Sequence, residues 1–149
     1  MSVDKMYKCK YFKIYELVYP ELYNYAKQTG NINKLWNFFD EELLITIDNI
    51  RELNRSSIKI NDWYWGGNYS LSGLRPYDSL IGAFGSFHKF GKAFDLKFNS
   101  IEQIRQDILN NPFQEEFKYI TCLEMDVSWL HIDCRNRDKV NLGILKIYP

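Results

Sequence analysis

Apolar residues return every three or four positions across residues 34–54, at Leu35, Phe38, Phe39, Leu43, Ile47, Ile50 and Leu53. That spacing lays them along one stripe and predicts a long amphipathic helix against a core. Ahead of it, Pro20 suits a first helical turn and Gly30 a stop, so a shorter helix is expected over residues 20–28. The period drops to two in Ile58-Lys59-Ile60, a short strand, and again across residues 92–98. There Phe94, Leu96 and Phe98 share the core face, which turns Asp95, with Ala93 and Lys97, toward a cleft or solvent. Ser100 and Gln103 form a capping-box pattern before a helix striped by Ile101, Ile104, Ile108 and Leu109, and Asn110-Asn111-Pro112 ends it. Further strands are expected over residues 119–124, 129–135 and 140–148. In the second of these, Leu130, Ile132 and Cys134 alternate with Trp129, His131 and Asp133. The order of elements predicts an α+β fold, a small, mainly antiparallel sheet packed against helices, in a single domain spanning residues 1–149.

Residues 63–87 break both periods. Trp63-Tyr64-Trp65-Gly66-Gly67, Ser72-Gly73-Leu74-Arg75-Pro76, Gly82 and Gly85 describe a long loop rich in glycine and aromatic rings. A loop of this length inside a compact domain is usually functional. Its aromatic residues Trp63, Tyr64 and Trp65 belong to the core or to the wall of a cleft.

Composition narrows the function classes. Of 149 residues, 46% are hydrophobic and 17% aromatic, which suits a packed globule rather than a disordered chain. Nineteen basic and nineteen acidic side chains cancel, so no electrostatic footprint for nucleic acid exists. No apolar run approaches the ~20 residues that span a bilayer. The stretch Met1 to Lys10 has no apolar core followed by a small-residue cleavage site, so no signal peptide is expected and synthesis is placed in the cytoplasm. Cys9, Cys122 and Cys134 are too few and too scattered for a disulfide framework or a zinc ribbon, and read as reduced thiols, with Cys134 near enough to His131 to touch a site there.

Both of the chain's histidines fall beside carboxylates: His88 seven residues before Asp95, and His131 two before Asp133. Two imidazoles and one carboxylate fill three positions of a tetrahedral zinc and leave the fourth for water, the arrangement of a catalytic site. Spacing alone leaves structural roles open for both, because no His-Glu-x-x-His helix is present.

The run Ser86-x-His88-x-x-Gly91-x-Ala93-x-Asp95, preceded by Ser72-Gly73-x-Arg75 and followed by Trp129-x-His131, resembles the zinc D-alanyl-D-alanine carboxypeptidases and the phage L-alanyl-D-glutamate endolysins. These share a fold with the Hedgehog signalling domain. The resemblance runs from about Tyr11 to Arg137 and includes the helix segment Asp48-Asn49-Ile50-Arg51. It implies zinc held by His88, Asp95 and His131, a carboxylate just upstream of the last histidine as general base, and Arg75 binding a substrate carboxylate or the oxyanion. Two carboxylates stand at suitable spacing, Glu124 and Asp126; Glu124, which closes a strand, is the choice. Arg75 could instead form a loop-fixing ion pair. Asp133, Ser86 and Trp129 are expected to orient a ligand or meet substrate, with a surface role open for Asp133. Gly91 and Ala93 are expected to let the backbone pass close to the metal.

What the resemblance implies as function is a hydrolase, a metallopeptidase that cuts peptidoglycan stem peptides in cell wall degradation, as a bacteriophage enzyme released at lysis or carried on a virion. The alternative is a non-catalytic zinc-containing binding or virion structural module of the same fold. Which peptide bond is cut is not set by these residues.

Overall fold

Residues 6–149 are described in a computed structural model; the first five, part of the stretch read above for a leader, lie outside the described residues. Pro20 opens α1 (Pro20–Gln28) after an extended Tyr19, and Gly30, at φ +71°, turns the chain out of it. The expected helix over residues 34–54 is two pieces, a 3-10 helix Ile32–Phe38 and α2 (Glu41–Asn54). The break has a cause elsewhere in the chain. Phe39 and Asp40 are extended, and the Asp40 N–H donates to the Gly91 carbonyl at 3.1 Å instead of continuing a helix. A Cβ on Gly91, itself at φ +69°, would stand 1.9 Å from the Phe38 carbonyl oxygen. Gly91 therefore serves a close passage beside residues 38–40, which corrects the expectation of a passage beside the metal.

Leu43, Leu44, Ile47 and Ile50 of α2 are buried, whereas Phe38 and Leu53, expected in the same stripe, are 52% and 39% exposed. Asp48 is buried on this helix too. Its carboxylate accepts from the Tyr7 hydroxyl at 2.6 Å and from the Lys10 and Tyr11 N–H groups at 2.7 and 3.1 Å. A charge-assisted cluster of this kind ties the N-terminal segment to the helix.

The remaining elements are β1 (Ala93–Leu96), α3 (Ile101–Asn110), β2 (Cys122–Glu124), β3 (Leu130–Asp133), α4 (Lys139–Leu142) and β4 (Leu145–Ile147). They form a sheet ordered β1-β3-β2-β4. β3 pairs antiparallel with β1 and β2, while β4 runs parallel to β2. The fold is α+β, as the pattern predicts, but the sheet is mixed rather than mainly antiparallel. The reason lies in residues 139–142. They coil into α4, with the Asp138 carboxylate capping the Asn141 N–H, and the turn of helix delivers the chain to β4 in the direction of β2.

Lys139 is buried, donating from Nζ to the carbonyls of Pro112, Phe117 and Lys118. An apolar-run reading of residues 140–148 misses that anchor. The expected strand at Ile58-Lys59-Ile60 is a single bridge between Lys59 and Lys97. At α3 no capping box forms: Ser100 makes no side-chain cap, and Gln103 donates to Asp107. One core joins α2, β1, β3 and the loop residue Leu74, with Phe94, Leu96, Leu130 and Ile132 fully buried. Among the described residues no helix is long and apolar enough to cross a membrane.

Candidate metal centre

β1 and β3 are paired so that Asp95 stands opposite His131. Alternation puts both side chains on the face away from Phe94 and Ile132, as the sequence predicts. The third member arrives on the 3-10 helix Phe87–Phe90, which follows the long loop and ends at Gly91. His88, Asp95 and His131 converge into a group able to hold a metal ion.

The three facing atoms are His88 Nε2, His131 Nδ1 and Asp95 Oδ1. Nε2 to Nδ1 is 3.3 Å, Nε2 to Oδ1 3.3 Å, and Nδ1 to Oδ1 2.9 Å. Ligands about 2.0–2.1 Å from a tetrahedral ion stand about 3.3–3.4 Å apart. Two of the three edges already have that length, and the third needs to open by about 0.4 Å. The donor set therefore fits a small divalent metal.

The other nitrogen of each ring is held from behind. His88 Nδ1–H donates to the Gly73 carbonyl at 3.0 Å, and since a carbonyl can only accept, Nε2 is left with the lone pair. His131 Nε2–H donates to Asp133 Oδ2 at 2.8 Å, which leaves Nδ1 for the metal. Such contacts fix the ring orientation and raise ligand basicity. Gly73 is needed where it is, because a Cβ there would stand 2.2 Å from the Leu17 carbonyl oxygen. Asp133, fully buried, is in turn gripped by Arg135, with Nε at 2.8 Å from Oδ1 and Nη2 at 2.6 Å from Oδ2.

These contacts set the protonation of the metal-free site. Burial alone would raise the pKa of Asp95, but the hydrogen bond from His131 and the closeness of the His88 ring hold it well below the usual carboxylate range. Asp133 is likewise pushed down to about 2, its bonds from Arg135 and His131 overcoming burial. Burial pulls His131 down, yet hydrogen bonds to Asp133 and Asp95 raise it to about 9. Without metal, a proton on His131 Nδ1 does part of the cation's work.

The group lies in a cleft of about 450 Å³, whose lining includes Arg75, Ser86, Glu124, Trp129 and Arg135. Glu124 ends β2 opposite His131, with Oε1 3.6 Å from His131 Nδ1. Trp129 Nε1–H donates to that same oxygen at 3.0 Å, so the indole aims the carboxylate. Asp126 is not among the cleft residues; it occupies a turn at φ +58°. Arg75 donates from Nε to the Leu71 carbonyl at 2.6 Å and from Nη2 to Asp95 Oδ2 at 3.3 Å. It forms the ion pair, with Asp95 rather than a loop residue, and it also lines the cleft. Leu80 and Phe84, in the loop that precedes Ser86, are almost fully exposed.

Cys134 does not reach the site. Its thiol points to Asp40 Oδ2 at 3.4 Å and the Lys92 carbonyl, and burial pushes its pKa up to about 12. All three cysteines are free thiols. Trp63, Tyr64 and Trp65 are not part of the metal cleft; they join Tyr15 and Tyr23 in a separate aromatic cluster.

Three supporting residues escape a motif-based reading. Arg135 is one. Arg105, buried in α3 among its apolar positions, is another: Nη2 donates to the carbonyls of Val127 and Trp129, pinning the turn that carries Trp129. Lys97 is the third, with Nζ 2.6 Å from Ser72 Oγ and 2.9 Å from the Ile60 carbonyl. A cation at an inward position of an amphipathic element is the signal that could have found Arg105. Comparison with protein-family models, with curated proteins and with solved structures yields no match to this chain.

Proposed function

We propose that this protein is a zinc-dependent peptidase that hydrolyses an amide bond in peptidoglycan stem peptides, as a D,D-carboxypeptidase or an L-alanyl-D-glutamate endopeptidase of endolysin type. The observation that carries the reading is the meeting of His88 Nε2, His131 Nδ1 and Asp95 Oδ1 at 2.9–3.3 Å beside a carboxylate, Glu124, that is aimed but is not one of the three. Two imidazoles and one carboxylate with an open side suit catalytic zinc. A binding module has no need of a fourth, separately oriented acid.

Zinc, when bound, supplies Lewis acidity and brings the pKa of its water toward ~7. Glu124 takes a proton from the attacking water and passes it to the leaving amine. Trp129 holds Glu124 in the orientation that both transfers need. Arg75 places its guanidinium where negative charge develops on the carbonyl oxygen. Arg75 and Arg135, both in the cleft lining, favour a peptide that carries a carboxylate near the cut bond.

The test is digestion of purified peptidoglycan with and without a chelator, with mass analysis of the products and metal analysis of the protein. About one zinc per chain and chelator-sensitive release of stem-peptide fragments are expected. Iron in place of zinc, or intact peptidoglycan, would overturn the reading. Glu124→Gln should keep zinc and lose about 10²–10⁴ in turnover, while Asp126→Asn stays near the parent rate. A dead Asp126→Asn beside an active Glu124→Gln would reverse that assignment.

A further inference from the structure

A second cleft, of about 510 Å³, opens on another part of the surface, and its lining shares no residue with the metal cleft. One wall is the indole of Trp65. This ring is 63% exposed, yet it is not loose. The 3-10 turn Trp63–Trp65 ends at Gly66 in the left-handed region, and the Gly67 N–H returns to the Asp62 carbonyl at 3.0 Å. Tyr15 and Tyr64 then pack edge-on to the indole at 5.4 and 5.9 Å, with interplanar angles of 72° and 88°. A large apolar ring held rigid and left facing water contributes little to folding for its size; such exposed surface marks a place where something docks.

The rest of the lining says what kind of ligand fits. Four charged residues face the cleft, Glu16 and Asp62 against Lys59 and Lys97, and their charges cancel. Lys59 and Asp62 pair with each other at 3.3 Å. Glu16 spends Oε2 on the Lys13 N–H at 2.7 Å, which leaves Oε1 as an acceptor, and Asn99 adds an amide. A charged ligand, nucleic acid or anionic lipid gains nothing from a cancelled field. An extended peptide has no strand edge to join, because the Lys59 and Lys97 backbones already pair with each other at 2.9 and 2.8 Å. A neutral ligand with one apolar face and a rim of hydroxyl and amide groups meets every condition. A pyranose ring is such a ligand: its C–H face lies on an indole while its hydroxyls bond carboxylates, amides and ammonium groups.

We propose that this cleft binds a saccharide chain, with Trp65 as the stacking platform and Glu16, Asp62 and Asn99 as hydrogen-bonding partners. It rests on the peptidase reading only for which glycan is meant, the N-acetylated strand to which stem peptides are attached. The two clefts are neighbours through one residue and one short stretch. Lys97 lines the saccharide cleft and donates to Ser72 Oγ at 2.6 Å, and residues 72–75 lead from there to Arg75 in the metal cleft. A glycan held on one side of that ridge keeps its peptide close to the other side.

The experiment is an NMR titration of the full chain with a β-1,4-linked N-acetylglucosamine tetramer, run in chelator so that no hydrolysis enters. A tetrapeptide of stem composition is the second probe. The Trp65 indole N–H and the Asn99 amide should shift with the tetramer and stay still with the peptide. Trp65→Ala should weaken tetramer binding at least tenfold, Trp65→Tyr should restore most of it, and both variants should melt near the parent temperature. Absence of any shift at millimolar tetramer, binding undiminished in Trp65→Ala, or a response to the peptide alone would overturn the saccharide assignment. A protein that binds the tetramer but leaves peptidoglycan intact would sink the peptidase reading and leave this one standing.

Discussion

Asp133 gives the sharpest test of how the metal centre is built. It touches no metal-facing atom, yet it is fully buried and holds the far side of the His131 ring at 2.8 Å. Asp133→Asn keeps the shape and removes the charge. The amide oxygen can still accept from Nε2, but the ligand nitrogen loses the basicity that a carboxylate behind the ring provides, and Arg135 loses a charged partner held by two bonds. Partners of this kind typically contribute 10–100-fold in metal affinity. That corresponds to about 1.4–2.7 kcal/mol at 25 °C. The folded state should also lose about 1–3 kcal/mol from the weakened buried network. The assay is zinc affinity by competition against a chromophoric chelator, on protein whose circular dichroism matches the parent. An unchanged zinc affinity in a variant that folds as the parent does would refute the role of Asp133, and with it the assignment of His131 Nδ1 as the metal-binding nitrogen.

Three more outcomes follow from the geometry. Arg75→Ala should lower kcat/KM by roughly 10²–10³, the cost of losing an oxyanion donor, and loosen zinc by a smaller factor because Asp95 loses an ion-pair partner; steady-state kinetics beside zinc titration separates the two. Gly91→Ala should unfold the protein or cost well above ~1 kcal/mol, since it adds a positive-φ penalty to a 1.9 Å backbone clash, whereas Gly85→Ala, with open space around it, should change stability by no more than about 0.5 kcal/mol in thermal melts. In the metal-free protein His131 is raised from 6.5 to about 9, so its contribution to stability is complete below pH 6.5 and lost as pH climbs through 9. Asp133, lowered from 3.8 to about 2, contributes above pH 3.8 and loses that as pH falls toward 2, so chelated protein should melt highest between about pH 4 and 6.5; a melting temperature still rising from pH 6.5 to 9 would contradict the proton-held site.

The alternation in β1 and β3 was enough to place Asp95 and His131 on one face, because a period of two is a local property of the backbone. The pairing of Asp95 with His131 is not local, but both positions sit in strands whose opposite faces must be buried, and that leaves few registers. What the pattern could not supply is where a segment's hydrogen bonds go when they leave it. The helix expected over residues 34–54 breaks because Asp40 bonds Gly91, a partner far along the chain. The strand expected over residues 140–148 survives only as Leu145–Ile147; its first part coils into α4, where the buried Lys139 ammonium satisfies three carbonyls that no periodicity reveals.

The same distinction explains which site residues were legible. His88, Asp95 and His131 carry their chemistry in their side chains, so residue type marks them as candidates and the motif resemblance singles them out. Gly73 contributes only a carbonyl to His88, and it can do so only because the absence of a Cβ lets it lie against Leu17. Its neighbours are then fixed in turn: Ser72 by Asn61 and Lys97, Leu74 by the Leu17 carbonyl, and Arg75 by the His88 carbonyl through its own N–H. His88 and residues 73–75 thus hold each other reciprocally: the ring Nδ1–H donates to the Gly73 carbonyl, and the His88 carbonyl accepts from the Arg75 N–H. A metal bound to Nε2 would be supported by this loop without touching it. The long loop is therefore a brace for one imidazole as well as a wall of the cleft, and a substitution at Gly73 should disturb metal binding as surely as one at the ligand it supports.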